Sequence, residues 1–260
     1  MTAEPSQLAA LAPRLPGTVS ADRIAAVSVR RHASSLVAPL LAVPDLCSAV
    51  ADTLDELGTG SVVPGHVLNR TAGGGPVCGP AITLRYVAVG GDVSANRAAG
   101  RGLLVGDRDL YGLAQPGDIA VMDASAAHGT AVLGGLSARW ATLAGLAGCV
   151  VDGAVRDTGT LREVGLPVWS AGRNPACGRY RIEAVELNGS VSLFGCLVRP
   201  GDYLVADDDG VCVIPHDDVP TVVERCLSSA EAEHELTALL ASGRSVEEVV
   251  GILRGRRTPA

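Results

Sequence analysis

Aromatic residues are scarce in this chain: two Trp, four Tyr and one Phe make up 3% of 260 residues. With 47% of positions hydrophobic, the core has to be built from Ala, Val and Leu. Basic charge is short as well, with 21 Lys and Arg against 28 Asp and Glu and a net charge of -7. That balance argues against electrostatic binding to nucleic acid or to an anionic membrane. No apolar run reaches the roughly 18 residues that span a bilayer. The N-terminus lacks a basic stretch followed by an apolar one, so no signal peptide is expected. There is no C-x-x-C pair among the cysteines at 47, 78, 149, 177, 196, 212 and 226. An odd number of scattered cysteines, most inside apolar runs, points to reduced, buried thiols in a cytoplasmic protein. No motif marks any of them as a nucleophile. A Rossmann G-x-G-x-x-G and a Walker A motif are also missing.

What is present is glycine and proline, 32 and 15 of them, which suits many short strands better than a helix bundle. The length suffices for one large domain with a full core. Residues 1–43, rich in Ala, Pro and Ser, form an arm that packs on a neighbour or caps the fold. Within it Ala21–Ala38 has helical character that Pro39 and Pro44 interrupt. The main domain, residues 44–260, opens with a helix that Asp45 is expected to cap and Gly58 to end. Residues 77–89 alternate as a strand, with Pro80 at an edge or bulge. The charges at Asp107, Arg108 and Asp109 are expected on the surface. Gln115-Pro116-Gly117-Asp118 and Arg199-Pro200-Gly201-Asp202 each predict a type II turn that launches a strand. Asp207-Asp208-Asp209-Gly210 reads as a hairpin turn, since most ligands of a calcium loop are missing. A helix over 217–241 and a second after Ser245, with Glu248 completing a capping box, close the chain.

The centre of the sequence is Gly134–Asp157, GGLSARWATLAGLAGCVVDGAVRD. Leu136, Trp140, Leu143 and Ala147 fall at helical spacing and predict one buried face. Gly148–Asp152 predicts a buried strand, Gly153 a turn capped by Asp152, and Thr158–Val164 another helix. Gly134 and Gly135 stand where the first helix starts. They serve either a tight turn that needs positive φ or the approach of an anion to the amides of Leu136 and Ser137. Arg156 and Asp157 come at the carboxyl end of the strand, where α/β proteins bind ligands. Arg suits a carboxylate or oxyanion, and Asp is a hard oxygen ligand for Mg²⁺ or Mn²⁺. The structural alternative is an ion pair, or an Asp that caps the next helix.

This stretch, continued through TGTLREVGLPVW, resembles the signature of the RraA-like family. DTLDELG, VCGPAITL, PGDIAVMD and RPGDYLVADDDGVCVIP resemble other family segments in the right order, so the likeness runs from about Asp45 to Val250. The family includes class II 4-hydroxy-4-methyl-2-oxoglutarate/4-carboxy-4-hydroxy-2-oxoadipate aldolases and regulators of ribonuclease activity. The resemblance implies an α/β fold of swivelling β/β/α character, a mixed sheet with flanking helices, assembled as a trimer or hexamer. It further implies that Arg156 binds substrate and steadies an oxyanion, and that Asp157 ligates a divalent metal. The amides of Leu136 and Ser137 would take the carboxylate of a 2-keto acid. Glu231 or Glu233, from a neighbouring subunit, would reach the metal shell. The aldolases have an acidic residue, twenty intervening residues and then Arg-Asp; that acidic position is Gly135 here. His128, just before the glycine pair, is a candidate substitute as ligand or base. The first expectation is therefore a metal-dependent carbon–carbon lyase on a small 2-keto acid. The alternatives are a same-fold enzyme diverted to other chemistry and a non-catalytic ribonuclease-binding regulator.

Overall fold

The structure, a computed structural model, describes residues 5–103, 105–127 and 129–256. The arm carries two short helices, α1 (Pro5–Leu11) and α2 (Ser34–Val37), with 3-10 turns around them. The longer helix expected over 21–38 is absent; Ala21–Arg23 is one 3-10 turn, and extended chain follows it. After α3 (Leu46–Leu57) come strands β1 (Ser61–Pro64), β2 (Asn69–Ala72) and β3 (Val77–Ala88). Helices α4 (Val93–Ala98) and α5 (Asp107–Leu113) follow, then β4 (Ile119–Asp123) and β5 (Ala131–Leu133). Next are α6 (Gly135–Leu143), β6 (Gly148–Val155), α7 (Thr158–Val164) and β7 (Val168–Arg173). Strands β8 (Ile182–Leu187), β9 (Val191–Leu193), β10 (Cys196–Val198), β11 (Tyr203–Ala206) and β12 (Gly210–Ile214) precede α8 (Val219–Leu240) and α9 (Val246–Arg256).

The main sheet runs β1-β12-β11-β3-β4-β6-β7-β2. Its middle, β3-β4-β6-β7, is parallel, and its outer strands are antiparallel. Strand β3 joins the two halves. Its first residues pair with β11, with Tyr203 opposite Pro80, and its last pair with β8, with Ala88 opposite Ile182. Pro80, which has no N–H, thus lies beside the point where the ladder changes partner, not at an edge. The parallel strands need crossovers, and α5, α6 and α7 supply them. They pack on a core with Leu84, Met122, Val151 and Leu161, to which Val19, Ile24 and Val27 of the arm also belong. Helices α3 and α8 cover β11 and β12 around Leu54, Val205 and Cys226.

Both Pro-Gly-Asp turns form as the sequence predicts. Gly117 and Gly201 have φ of +93° and +90°, a region open to glycine. In each, the Asp carboxylate accepts the amide three residues back: Gln115 for Asp118 and Arg199 for Asp202, both at 2.8 Å. Ser245 and Glu248 form the expected reciprocal capping pair. Asp45 does not cap α3. Its φ is +46° and its side chain makes no cap bond; Asp207, from the β11–β12 hairpin, instead accepts the Cys47 amide at 2.8 Å. Among the described residues no single helix is long and apolar enough to cross a membrane.

Two expectations for the central stretch are corrected. Strand β6 does not stop at Asp152 but runs through Gly153 to Val155. Gly153 is there for close approach, since a Cβ would lie 2.9 Å from the Ala124 Cβ. Asp152 accepts the amide of Phe194 and caps no turn. The face of α6 that carries Leu136, Trp140 and Leu143 is the open one, with exposures of 69%, 39% and 79%. Its buried face is Gly135, Ser137, Ala138 and Ala141, small residues that let the helix lie close on its neighbours.

Candidate active site

Parallel β5 and β6 end side by side, at Leu133 and Val155. Gly134 and α6 continue from one, Arg156 and Asp157 from the other, so both halves of the central stretch meet at the carboxyl ends of parallel strands. Asp157 occupies the N-cap position of α7, and its carbonyl accepts the Leu161 amide at 3.0 Å. Its side chain makes no bond to α7. It crosses to α6, where Asp157 Oδ2 accepts the Gly135 amide at 3.0 Å. The Arg156 Nε lies 3.8 Å from the same oxygen. Asp157 holds a left-handed backbone, φ +57° and ψ +41°, a conformation that costs a non-glycine residue about 1–2 kcal/mol and that Asp tolerates better than most.

The glycine pair is present for space, not for positive φ. Gly134 is extended, with φ of -146°, and Gly135 begins the helix. A Cβ on Gly134 would stand 2.7 Å from Asp157 Oδ2 and 3.1 Å from the Arg156 side chain. A Cβ on Gly135 would stand 2.7 Å from Thr160 Cγ2 and 3.0 Å from Thr160 Cβ, on α7. Thr160 therefore fills the room that an acidic side chain at 135 would enter.

A cleft of about 260 Å³ opens over these residues. Arg156, Asp157, Gly134, Leu136 and Ser137 line it, together with groups that the sequence assigned to no site: Thr18 of the arm, Asp107 and Arg108 of α5, and Cys177 and Arg179 before β8. Leu136 and Ser137 lie in the first turn of α6, where amides have no acceptor within the helix. Three guanidiniums, Arg108, Arg156 and Arg179, favour an anionic occupant.

Asp107 and Asp109 are corrections to the sequence reading. Both are buried, at 8% and 1% exposure. Asp109 gathers the arm: it accepts the amides of Gly17, Thr18 and Val19 and the Thr18 hydroxyl. Asp107 faces the cleft. Burial pushes its carboxyl up from the usual range, and the Ser137 hydroxyl, the Arg108 charge and helix amides oppose that shift. The Ser137 hydroxyl also hydrogen-bonds the Tyr111 hydroxyl at 2.9 Å.

The remaining candidates fall elsewhere. Glu231 and Glu233 are exposed on α8 and do not line the cleft within one chain. His128 lies outside the described residues. Among the described residues no group of three His, Cys, Asp or Glu side chains is placed to hold a metal. A divalent ion in this cleft would have Asp157 as its side-chain ligand, and the Asp157 side chain is 46% exposed. One hard oxygen suits a hydrated Mg²⁺ or Mn²⁺ that takes its other oxygens from water and substrate.

The family model described as Aldolase/RraA, RraA-like, matches residues 46–213. The chain belongs to the RraA-like family. An uncharacterized protein of Methanocaldococcus jannaschii is 32% identical over 123 residues, 47% of this chain. The chain spans 59% of that relative's length. A putative 4-hydroxy-4-methyl-2-oxoglutarate aldolase of Halalkalibacterium halodurans is 32% identical over 185 residues, 70% of this chain and 78% of that protein. Among solved structures, Streptomyces coelicolor RraAS2 superposes with a TM-score of 0.64 at 28% identity, over 79% of this chain and 96% of that one. It is described as an unusual member of the RNase ES inhibitor RraA family. The mixed sheet with flanking helices is thus the α/β fold of RraA-like proteins.

Proposed function

We propose that this chain is a carbon–carbon lyase acting on a small 2-keto acid, by aldol cleavage or decarboxylation through a pyruvate enolate, with Mg²⁺ or Mn²⁺ as cofactor. The observation that carries this reading is the convergence of Arg156 and Asp157 on the first turn of α6. The free amides of that turn would receive the keto-acid carboxylate. Arg156 would donate to the oxygen on which negative charge grows, and its position beside Asp157 keeps the guanidinium aimed before the charge appears. Asp157 would hold the cation, which when bound draws electron density from the keto acid. Arg108 and Arg179 add positive field for an anionic substrate. The similarity to a protein named as a putative aldolase supports the same chemistry.

Residues 1–43 serve in this reading as an arm on the 44–260 domain, with Thr18 forming one wall of the cleft. Assembly into a trimer or hexamer would cover the apolar face of α6, where Leu136, Trp140 and Leu143 stand open. Seven free thiols suit a reducing compartment such as the cytoplasm.

The test is release of pyruvate from 4-hydroxy-4-methyl-2-oxoglutarate and from oxaloacetate, with and without Mg²⁺ or Mn²⁺. Metal-stimulated pyruvate from either substrate is expected, and its absence from both overturns the reading. The packing of Thr160 on Gly135 favours one alternative, an enzyme of the same fold with a different substrate. The likeness to RraAS2 supports another, a regulator that binds a ribonuclease, which would appear as capture of that ribonuclease by a protein without lyase activity.

A further inference from the structure

Two carboxylates line the cleft, and their surroundings differ. Asp157 is open to solvent and engaged by an amide and a guanidinium. Asp107 lines the same cleft at 8% exposure, against the Ser137 hydroxyl, which also hydrogen-bonds the Tyr111 hydroxyl. Where one of two acids in a site is enclosed and the other is not, burial favours the protonated form of the enclosed one and suits it to carrying a proton. A carboxylate at the start of a short helix is ordinarily favoured in its charged form. Here burial overrides that preference. Asp109, two residues on, takes three amides of the arm, whereas Asp107 lines the cleft.

The charged and titratable groups around Asp107 are few. Arg108 and Tyr111 are on its own helix, and Tyr86 of β3 and Cys149 of β6 lie within electrostatic reach of it. Both tyrosines and the thiol have their ionisation pushed up by burial, the thiol to about 12, so they stay neutral and do not compete for the proton. Arg156, Asp157 and Arg179 line the cleft it opens onto.

We propose that Asp107 is the catalytic acid–base residue of this cleft, carrying one proton from the substrate's C4 hydroxyl to C3 of the pyruvate enolate. The proposal rests on the lyase reading above. As the carboxylate, Asp107 takes the hydroxyl proton. The freed oxygen pair forms the new carbonyl at C4, and the C3–C4 bonding pair becomes the enolate double bond. The former keto bond becomes an electron pair on oxygen, facing Arg156. Asp107 then returns its proton to C3, which makes the methyl group of pyruvate and regenerates the carboxylate. No oxidant or further reactant is needed. For oxaloacetate, where carbon dioxide leaves without a hydroxyl proton, only the second half is required, with the proton drawn from water.

The second half can be tested alone. Pyruvate with Mg²⁺ in D₂O should lose its methyl proton signal in the presence of the wild-type protein. Asp107→Asn should slow that exchange about 10²–10⁴-fold, the usual contribution of a positioned acid–base group. Asn matches the neutral carboxyl in shape, so the fold should survive, and calorimetry should show pyruvate and Mg²⁺ binding within about threefold of wild type. Asp107→Glu, which keeps a carboxyl group, should restore part of the rate. Exchange by Asp107→Asn at the wild-type rate overturns the proposal and leaves the lyase reading standing. Loss of pyruvate binding together with exchange also overturns it, because Asp107 would then position substrate and not move the proton. A wild-type protein that binds pyruvate and Mg²⁺ without exchanging protons overturns both.

Discussion

Asp157 Oδ2 and the Gly135 amide are 3.0 Å apart, so the residue at the start of one helix caps another. The hydrogen bond ties the carboxyl end of β6 to the first turn of α6 and fixes the carboxylate in the cleft. Asp157→Asn keeps an acceptor oxygen and the tolerance for φ +57°, and loses only charge. Its melting temperature should stay within a few degrees of wild type, while Mg²⁺-dependent pyruvate release falls below detection. Asp157→Ala loses the cap as well and strains a left-handed site, so it should cost about 1–3 kcal/mol in chemical denaturation. An Asn variant that retains metal-stimulated activity would remove Asp157 from the role of ligand.

The two glycines should respond differently to added side chains. At Gly134 the nearest obstacle is the end of the Asp157 side chain, 2.7 Å from a new Cβ, and that side chain can rotate away. Gly134→Ala should therefore unfold near the wild-type denaturant midpoint yet lose about 10–100-fold in activity, because the carboxylate and guanidinium have left their places. At Gly135 the obstacle is Thr160, whose Cβ is fixed to its helix. Gly135→Asp, which writes the aldolase pattern back into the chain, should destabilise by about 1–3 kcal/mol. Thr160→Ala in the same molecule should recover part of that loss. A double-mutant cycle with no coupling energy would show that the collision is not what excludes an acid there.

The sequence exposed the parts of this site that depend on near neighbours. A Pro-Gly pair needs only its own backbone to turn, and both such turns form. Arg156 and Asp157 follow a run of apolar residues closely enough to be assigned to a strand end, although Gly153 made that strand look shorter than it is. What the sequence hid depends on distant contacts. Asp107-Arg108-Asp109 has the composition of a solvated surface; Arg108 is exposed as expected, but the burial of the two carboxylates comes from Gly17–Val19 and Ser137, far away in the chain. The helical wheel of α6 pointed the wrong way because periodicity weighs hydrophobicity and not size. Leu and Trp mark the open face, and the buried face belongs to Gly, Ser and Ala, whose small side chains permit close approach. Asp45 has the chemistry of a cap but not the backbone for one, and Asp207, a hairpin residue 160 positions from the Cys47 amide it accepts, does the work.

Arg31 and Asp118 test how firmly the arm is fixed. The Arg31 guanidinium donates to both Asp118 oxygens, at 2.8 and 2.6 Å, and the Asp118 side chain is wholly buried. Removing the arginine leaves a buried carboxylate with only the Gln115 amide. Arg31→Ala should lower stability by about 3–5 kcal/mol, the usual cost of breaking a buried pair from one side. Proteolysis should then cut first within residues 1–43. Asp118→Asn with Arg31→Met should recover much of the loss, since the uncompensated charge is gone.

Asp107 gives stability a pH dependence of a sign opposite to that of most carboxylates. Burial, its largest influence, raises the carboxyl above its unfolded value, so the folded protein binds this proton more tightly than the unfolded chain. Below the unfolded value, near pH 4, both states are protonated and the favourable contribution is complete. As pH rises through the raised folded value, the unfolded chain releases the proton first and that contribution is lost. Asp107→Asn cannot ionise and so escapes the loss. Urea denaturation of the two proteins should give similar stabilities near pH 4 and a more stable variant near pH 8. A variant less stable than wild type at pH 8 by as much as at pH 4 would mean that Asp107 ionises without penalty, and its burial would then have another compensation.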